Sequence, residues 1–414
     1  MKRILPVLLC LLLSAALLNG CGRLPEPTYR VAVASDLHYL APELTDHGEI
    51  FRQMMANSDG KMTEFCEEIT DAFLAELIEL RPEALILTGD ISFNGAQESH
   101  LALAEKLAAL EAAGIPVLVL PGNHDVYRSS ASYIGSETAR ATVTTSEDFR
   151  RIYAAFGYDE ARAEDGDSLS YVYDLNATTR VLMLDCNTMH DPCGLSDETL
   201  AWIERQLKEA RRDGAAILAA GHQNLYKHSF FGFGYVLVQG EELAALLRKY
   251  DVPLFLSGHL HIQHILTEDG LTEITTSPLT MGVCRYALLE AQQGALSYET
   301  RPVDVAAWAA QKGSTDERLL RFAESSYETM AARMRVNVAE QFAGELAAEE
   351  LERLTAYAVE LNWEYFAGDL RGVEELDPDA SLLAAWNDKG GLFSAYFGSV
   401  EPDFGRDFTS WKSD

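Results

Sequence analysis

Pro116-Val117-Leu118-Val119-Leu120-Pro121-Gly122-Asn123-His124-Asp125 is an apolar run that stops at an amide, an imidazole and a carboxylate. The run reads as a strand, and the polar residues as the turn beyond it. Gly122 permits a tight or left-handed turn, so Asn123 and His124 can point into one cleft past the strand's carboxyl end. Alone, Gly-Asn-His-Asp is compatible with an ordinary polar turn. Its weight comes from four more places where a β-type run stops at a residue able to bind metal. These are Arg30 to Ser35 before Asp36-Leu37-His38, Ala84 to Thr88 before Gly89-Asp90, Ala215 to Ala220 before Gly221-His222, and Pro253 to Ser257 before Gly258-His259-Leu260-His261.

Taken in order, Asp-x-His, Gly-Asp, Gly-Asn-His-Asp, Gly-His and Gly-His-x-His resemble the calcineurin-like metallophosphoesterases, over roughly residues 30 to 265. The resemblance implies two divalent metal ions. Asp36, His38 and His261 would hold one, Asn123, His222 and His259 the other, with Asp90 bridging. Mixed imidazole, carboxylate and amide ligands suit Mn, Fe or Zn better than Ca. It also implies hydrolysis of a phosphoester by attack of a metal-bridging hydroxide. His124 belongs to neither metal set and is the candidate to stabilise the phosphoryl oxygen or protonate the leaving group. Asp125 either orients a neighbouring imidazole in a catalytic role or caps the turn. The expected fold is a four-layer α/β/β/α sandwich of two mixed sheets, in keeping with the α/β or α+β class that the alternation of strand and helix patterns gives by itself.

Gly89-Asp90-Ile91-Ser92-Phe93-Asn94-Gly95 narrows the resemblance. Calcineurin-type protein phosphatases place an Arg where this chain has Asn94, and purple acid phosphatases a ligating Tyr where it has Phe93. The remaining branch holds cyclic-nucleotide phosphodiesterases and related bacterial phosphoesterases, some with a helical carboxy-terminal region. The expected activity is therefore hydrolysis of phosphodiester bonds in a small-molecule substrate, cyclic nucleotides among the candidates. The alternatives are a phosphomonoesterase, a hydrolase of nucleotide or cell-envelope phosphates on the same site, and a non-catalytic surface binding protein.

With 414 residues and 48% hydrophobic content the chain has material for a large core. A formal net charge of -31 argues against nucleic-acid duplex binding and against docking to anionic lipid by charge. Lys2 and Arg3 followed by the apolar Ile4 to Leu18 read as a signal peptide, residues 1–20. Leu18-Asn19-Gly20-Cys21 resembles a bacterial lipobox, which implies lipidation of Cys21, a linker over 21–29, and an extracytoplasmic protein held to the cell membrane by its lipid. Cys66, Cys186, Cys193 and Cys284 could pair or remain buried thiols, with Cys186 and Cys193 the nearest pair in sequence.

The catalytic domain is expected over 30–302. Three loops would wall the pocket: Tyr39 to Lys61, Val126 to Thr145, and the aromatic, glycine-rich Tyr226 to Tyr235. In the first, His47 and Lys61 are candidate substrate contacts, or else solvated loop residues. The third could stack on a base or aryl group, or pack against the carboxy-terminal region. His190 has no partner motif and reads as structural or exposed. From 303 to 414 the composition turns to an Ala- and Glu-rich helical pattern whose aromatic residues, Trp363, Trp386 and Phe397 among them, must be buried against something.

Overall fold

The computed structural model describes residues 28–188, 193–230, 234–292, 294–342 and 345–413, so the signal segment, Cys21 and His190 lie outside the described residues. In chain order the strands are β1 (Tyr29–Ala34), β2 (Ala84–Leu87), β3 (Val117–Val119), β4 (Ala131–Ile134), β5 (Glu137–Arg140), β6 (Ala163–Glu164), β7 (Tyr171–Asn176), β8 (Thr179–Leu184), β9 (Ala216–Gly221), β10 (Leu254–Ser257), β11 (His264–Glu268), β12 (Leu271–Thr275), β13 (Arg285–Gln292), β14 (Ala295–Pro302) and β15 (Ser410–Lys412).

Two mixed sheets result. The first has the order β15-β14-β13-β1-β2-β3, with β1, β2 and β3 parallel and β13 antiparallel to β1. The second has the order β11-β12-β10-β9-β8-β7-β6, with a parallel centre of β8, β9, β10 and β12. Strands buried on both faces carry apolar residues at every position, and β2, Ala-Leu-Ile-Leu, is buried throughout. Successive residues of the second sheet go to opposite sides. Val181, Met183, Leu218, Ala220, Leu254 and Leu256 share a core with the first sheet. Their neighbours Leu182, Leu184, Ala219 and Phe255 pack with Trp202, Ile203, Leu207, Leu243 and Leu247 of the helices Asp197–Asp213 and Gly240–Lys249. This period of two is what layers helix on sheet on sheet.

The helices Cys66–Leu80 and Gln97–Ala112 are the crossovers joining β1 to β2 and β2 to β3. Ile69, Phe73, Leu77, Leu103 and Leu107 are their buried stripe. The Tyr39 to Lys61 connection is more structured than its polar composition suggests, since it contains the amphipathic helix Glu49–Ala56. Ser196 caps its helix as the acidic start predicts, its hydroxyl accepting from Thr199 N at 3.0 Å. Cys186 is a free buried thiol that donates to Gln223 Oε1 at 2.7 Å, so the Cys186–Cys193 pairing is not formed. No helix among the described residues is long and apolar enough to cross a membrane.

After β14 come the helices Val305–Gln311, Glu317–Leu320, Phe322–Gln341, Ala348–Ala367, Val373–Leu376, Ser381–Lys389 and Gly391–Val400. The chain then returns as β15, pairing Ser297 with Lys412 and Tyr298 with Trp411. The region expected to be helical to its end is therefore anchored at both ends on the first sheet. A buried polar chain fastens it again at Asp403, just before β15. His228 Nε2 lies 2.9 Å from Glu273 Oε2, His228 Nδ1 lies 3.0 Å from His264 Nδ1, and His264 Nε2 lies 3.1 Å from Asp403 Oδ2. A hydrogen on Nδ1 of His228 and one on Nε2 of His264 give the two hydrogen bonds to His264 and Asp403 one proton each. Burial, first, holds the His264 imidazole below its ordinary pKa, with Asp403 opposing and His228 adding to the shift.

Removing one member of such a chain strands the others without partners. Asp403→Ala is expected to weaken docking of residues 304–409 by about 1–3 kcal/mol. The urea midpoint and the rate of protease cleavage within that stretch report it; unchanged values for both would mean the chain contributes nothing.

Candidate metal centre

The predicted ligand strands converge. Asp36 and His38 follow β1, Asp90 follows β2, Asn123 follows β3, His222 follows β9, and His259 and His261 follow β10. Asp36, His38, Asp90 and His261 form one group and Asp90, His222 and His259 another, each with ligand atoms within 4.8 Å of one another and with Asp90 common to both. Asn123 stands at the second group, its Oδ1 3.1 Å from His222 Nε2.

The local backbone explains why short loops can do this. Asp36, His38, Asp90, His259 and His261 have φ of 53°, 43°, 48°, 73° and 58°, the left-handed region that side chains other than glycine seldom occupy. Each such residue turns the chain sharply at a strand end, and the loops then hold one another. Asp36 N donates to Gly89 O at 3.1 Å, His38 N to Asp90 O at 3.0 Å, and Gly258 N to His222 O at 3.0 Å. Gly122 does something other than the expected left-handed turn. Its φ is not positive, and a side chain there would collide with Asp90 Oδ1 and the Asp90 amide. Gly89 likewise leaves room for the His222 ring, since a Cβ would come 2.6 Å from His222 Nδ1.

The imidazoles are committed to definite roles. His222 Nδ1 meets Thr88 O at 2.8 Å and His259 Nε2 meets Gly234 O at 3.2 Å, so each donates that hydrogen to a carbonyl and keeps the other nitrogen's lone pair for the centre. His261 turns Nδ1 toward the Asp59 carboxylate, 3.6 Å from Oδ2, an ion-pair distance and not a hydrogen bond. His38 Nε2 and His261 Nε2 then face each other at 3.0 Å, and His261 Nε2 lies 3.3 Å from Asp36 Oδ1. Asp36 Oδ1 is buried and accepts no hydrogen bond among the described residues. Facing lone pairs and a donorless carboxylate oxygen out of water fit a divalent cation, which would satisfy all of them together.

Electrostatics point the same way. Burial alone would raise the Asp36 and Asp90 carboxyls, yet the nearby His261 imidazole holds Asp36, and the His222 imidazole holds Asp90, well below the ordinary carboxylate range. Burial pushes His38 well below its ordinary value and His259 to about 4, keeping their lone pairs available. His222 is the exception: the Asp90 charge overcomes burial and raises it to about 9, so a cation that takes its lone pair must displace a proton.

His124 lines the cavity beside the ligands, and its main-chain N donates to Asp90 Oδ1 at 2.7 Å. Its Nδ1 lies 3.0 Å from Asn94 Oδ1, which fixes the ring and leaves Nε2 as its free atom. Asp125 does not orient an imidazole through its carboxylate. Fully buried, that group accepts from Gly122 N at 2.8 Å, Ser92 N at 2.8 Å, Ser92 Oγ at 2.8 Å and Ile91 N at 3.2 Å, which makes it the brace between two ligand loops. Burial and then the Asp90 charge push it up to about 7. Lys61 reaches the cavity, paired with Asp59 at 2.6 Å. His47 does not. It packs on Phe51, with ring centroids 5.0 Å apart, and lines a separate cleft with Thr45, Glu64 and Phe65.

Asn94 and Asp59 are the residues that reading by motif missed as partners of the site. The only signal for them was position, in the Gly89 to Gly95 heptad and next to Lys61. Of the loops, Val126 to Thr145 is the hairpin β4–β5, and its Tyr133 lines a cleft with His38 and His124. Tyr235 reaches the cavity and stacks near His259 at 5.0 Å, while Phe231 to Phe233 lie outside the described residues. A slightly larger cleft of about 790 Å³ sits at the opposite pole, at the starts of β1, β8, β9 and β10, and none of the predicted ligands lines it.

Gly122→Ala is expected to leave the circular dichroism spectrum unchanged while lowering bound Mn or Zn per chain, because the methyl displaces the carboxylate common to both groups. Parental metal content in that variant would show that Asp90 is not held by this contact.

Comparison with known proteins agrees with the geometry. The family model described as calcineurin-like phosphoesterase matches residues 29–263, and that described as the C-terminal domain of cyclic nucleotide phosphodiesterase matches 304–400. A relative from Arcobacter nitrofigilis carrying the name GpdQ is 29% identical over 188 residues, 44% of this chain and 57% of that one. The glycerophosphodiester phosphodiesterase GpdQ of Enterobacter lignolyticus is 26% identical over 203 residues, 49% of this chain and 63% of that one. The 3',5'-cyclic-nucleotide phosphodiesterase of Nostoc is 29% identical over 198 residues, 46% of this chain and 62% of that one. The chain thus spans less than two thirds of the length of each of these three relatives. With a family model matching more than half of its length, the chain belongs to the calcineurin-like phosphoesterases.

Proposed function

We propose that the protein is a dinuclear-metal phosphodiesterase. The observation that carries this is the sharing of Asp90 by two ligand groups, in the second of which His222 and His259 have already given one N–H to Thr88 O and Gly234 O. In this reading Asp36, His38 and His261 hold one ion and Asn123, His222 and His259 the other, with Asp90 between. When bound, two divalent cations supply the charge that polarises a phosphoester and acidifies water. The chain's own residues do the rest. Asn94 holds the His124 ring so that Nε2 faces the cavity, where it can give a proton to the departing oxygen. Asp125 keeps the Gly122 and Ile91–Ser92 loops in register. Lys61 adds a cation on the cavity wall, steadied by Asp59. Names of relatives point to diesters, both glycerophosphodiesters and cyclic nucleotides.

Metal content and turnover measured together test the reading, with bis-p-nitrophenyl phosphate against p-nitrophenyl phosphate as the first pair. About two ions per chain with preference for the diester is the expected result. Monoester preference would move the function to a phosphatase, and absence of both metal and turnover would leave a binding protein. His124→Ala is expected to keep both ions and lose about 100-fold or more in kcat; loss of metal with it would make His124 a ligand.

Location is part of the proposal. The Leu18-Asn19-Gly20-Cys21 sequence supports a lipid on Cys21 and an extracytoplasmic site of action. The described chain begins at the amino end of β1, whereas the ligand loops are at the carboxyl ends of β1, β2, β3, β9 and β10. Cys21→Ser is expected to move the protein from the membrane to the soluble fraction and abolish labelling by a fatty-acid analogue; labelling that persists would place the lipid elsewhere.

A further inference from the structure

The metal centre opens into a cavity of about 720 Å³, within the range of small-molecule sites, and only one side of it comes from the catalytic sheets. The other side comes from three helices of the carboxy-terminal region. Arg333 and Asn337 project from Phe322–Gln341, Asn362 and Phe366 from Ala348–Ala367, and Phe393 and Tyr396 from Gly391–Val400. Two features of this wall point to a ligand. The Asn362 side chain is 8% exposed, its Oδ1 accepts from Tyr396 Oη at 3.0 Å, and its amide nitrogen, carrying two hydrogens, has no partner among the described residues. Arg333 has no carboxylate within ion-pair distance among the described residues, in a chain whose net charge is -31. A guanidinium left unpaired amid so much acid, beside a buried amide with unused donors, is a set of hydrogen-bond donors awaiting acceptors. The rings of Phe366, Phe393 and Tyr396 on the same wall offer faces to a flat group.

We propose that these helices form the nucleoside subsite of the phosphodiesterase, and that it takes a nucleobase, stacked on the aromatic side chains with its acceptor edge held by Arg333 and Asn362. Guanidinium and amide donors beside aromatic faces are the means by which proteins recognise unpaired bases. The proposal rests on the phosphodiesterase reading for what happens to the ligand, and on the cavity alone for what binds. It makes the carboxy-terminal region a determinant of specificity, with Arg333 a binding residue outside the catalytic domain.

The test separates the two readings. Calorimetric titration of the metal-loaded full chain with AMP and with ribose 5-phosphate isolates the base, since both carry the same phosphate. AMP is expected to bind the parent chain about 10- to 100-fold more tightly than ribose 5-phosphate, and Arg333→Gln is expected to erase most of that margin while leaving ribose 5-phosphate affinity and metal content unchanged. In turnover, the same variant should lose about tenfold or more in kcat/KM on p-nitrophenyl thymidine 5'-phosphate and less than about twofold on methyl p-nitrophenyl phosphate. Equal affinity of the parent chain for AMP and ribose 5-phosphate overturns the subsite. So does a loss in Arg333→Gln that is the same with and without a base, which would put Arg333 on the phosphate. If the base-dependent margin and its loss are found but no diester is turned over, the subsite stands and the hydrolase reading fails.

Discussion

Asp36 and Asp90 end neighbouring parallel strands with their carboxylates out of water, and the surrounding architecture follows from having to keep them ionised there. A buried carboxylate without compensation is so costly that it would take up a proton instead. Here imidazoles from the second sheet supply the compensation: His261 reaches Asp36, and His222 reaches Asp90. Because those histidines follow β9 and β10, the two sheets must meet with these strand ends in register. Core packing between the sheets therefore sets the geometry of the centre as well as the stability of the fold.

Much of that arrangement was legible in the sequence. A strand that ends at Asp-x-His or Gly-His announces itself, because the apolar run and the ligand lie side by side, and all seven ligand candidates fall in the two groups or next to them. What could not be read falls into two kinds. The partners that hold the imidazoles are often main-chain carbonyls, Thr88 O and Gly234 O, which leave no trace in residue type. Contacts between distant segments were equally silent: nothing in the composition of residues 322–396 indicates that Arg333 and Asn362 face His124 across a cavity. Of the alternatives read for His47 and Asp125, substrate contact for the first and a catalytic role for the second find no support in the geometry, for a related reason. His47 and Asp125 are polar residues near motifs, but His47 is turned onto Phe51 and Asp125 is filled by one donor from its own turn and three from the Ile91–Ser92 loop. Proximity in sequence fixed neither the direction of a side chain nor the number of its partners.

The carboxy-terminal region resembles a tail in sequence and an insertion in space. It leaves the first sheet after β14 and rejoins it as β15, while the buried chain from Glu273 to Asp403 ties it to the second sheet. Three attachments of different kinds hold one wall of the cavity at a fixed distance from the metal ligands. A wall so held can discriminate among ligands by shape, whereas a tethered flap would close on any of them.

The left-handed backbone at Asp36, His38, Asp90, His259 and His261 bears on how such a protein changes over evolutionary time. Glycine at any of these positions would relieve about 1–2 kcal/mol of main-chain strain, and at Asp36 or Asp90 it would also remove a buried charge. Main-chain conformation thus pulls against the motif, opposed by the loop hydrogen bonds that Asp36 and Asp90 accept and by the demand for metal. A lineage released from catalysis should not lose these residues at random. It should slide toward glycine and asparagine at these very turns and grow more heat-stable as it does so, a signature by which retired members of the family can be told from working ones.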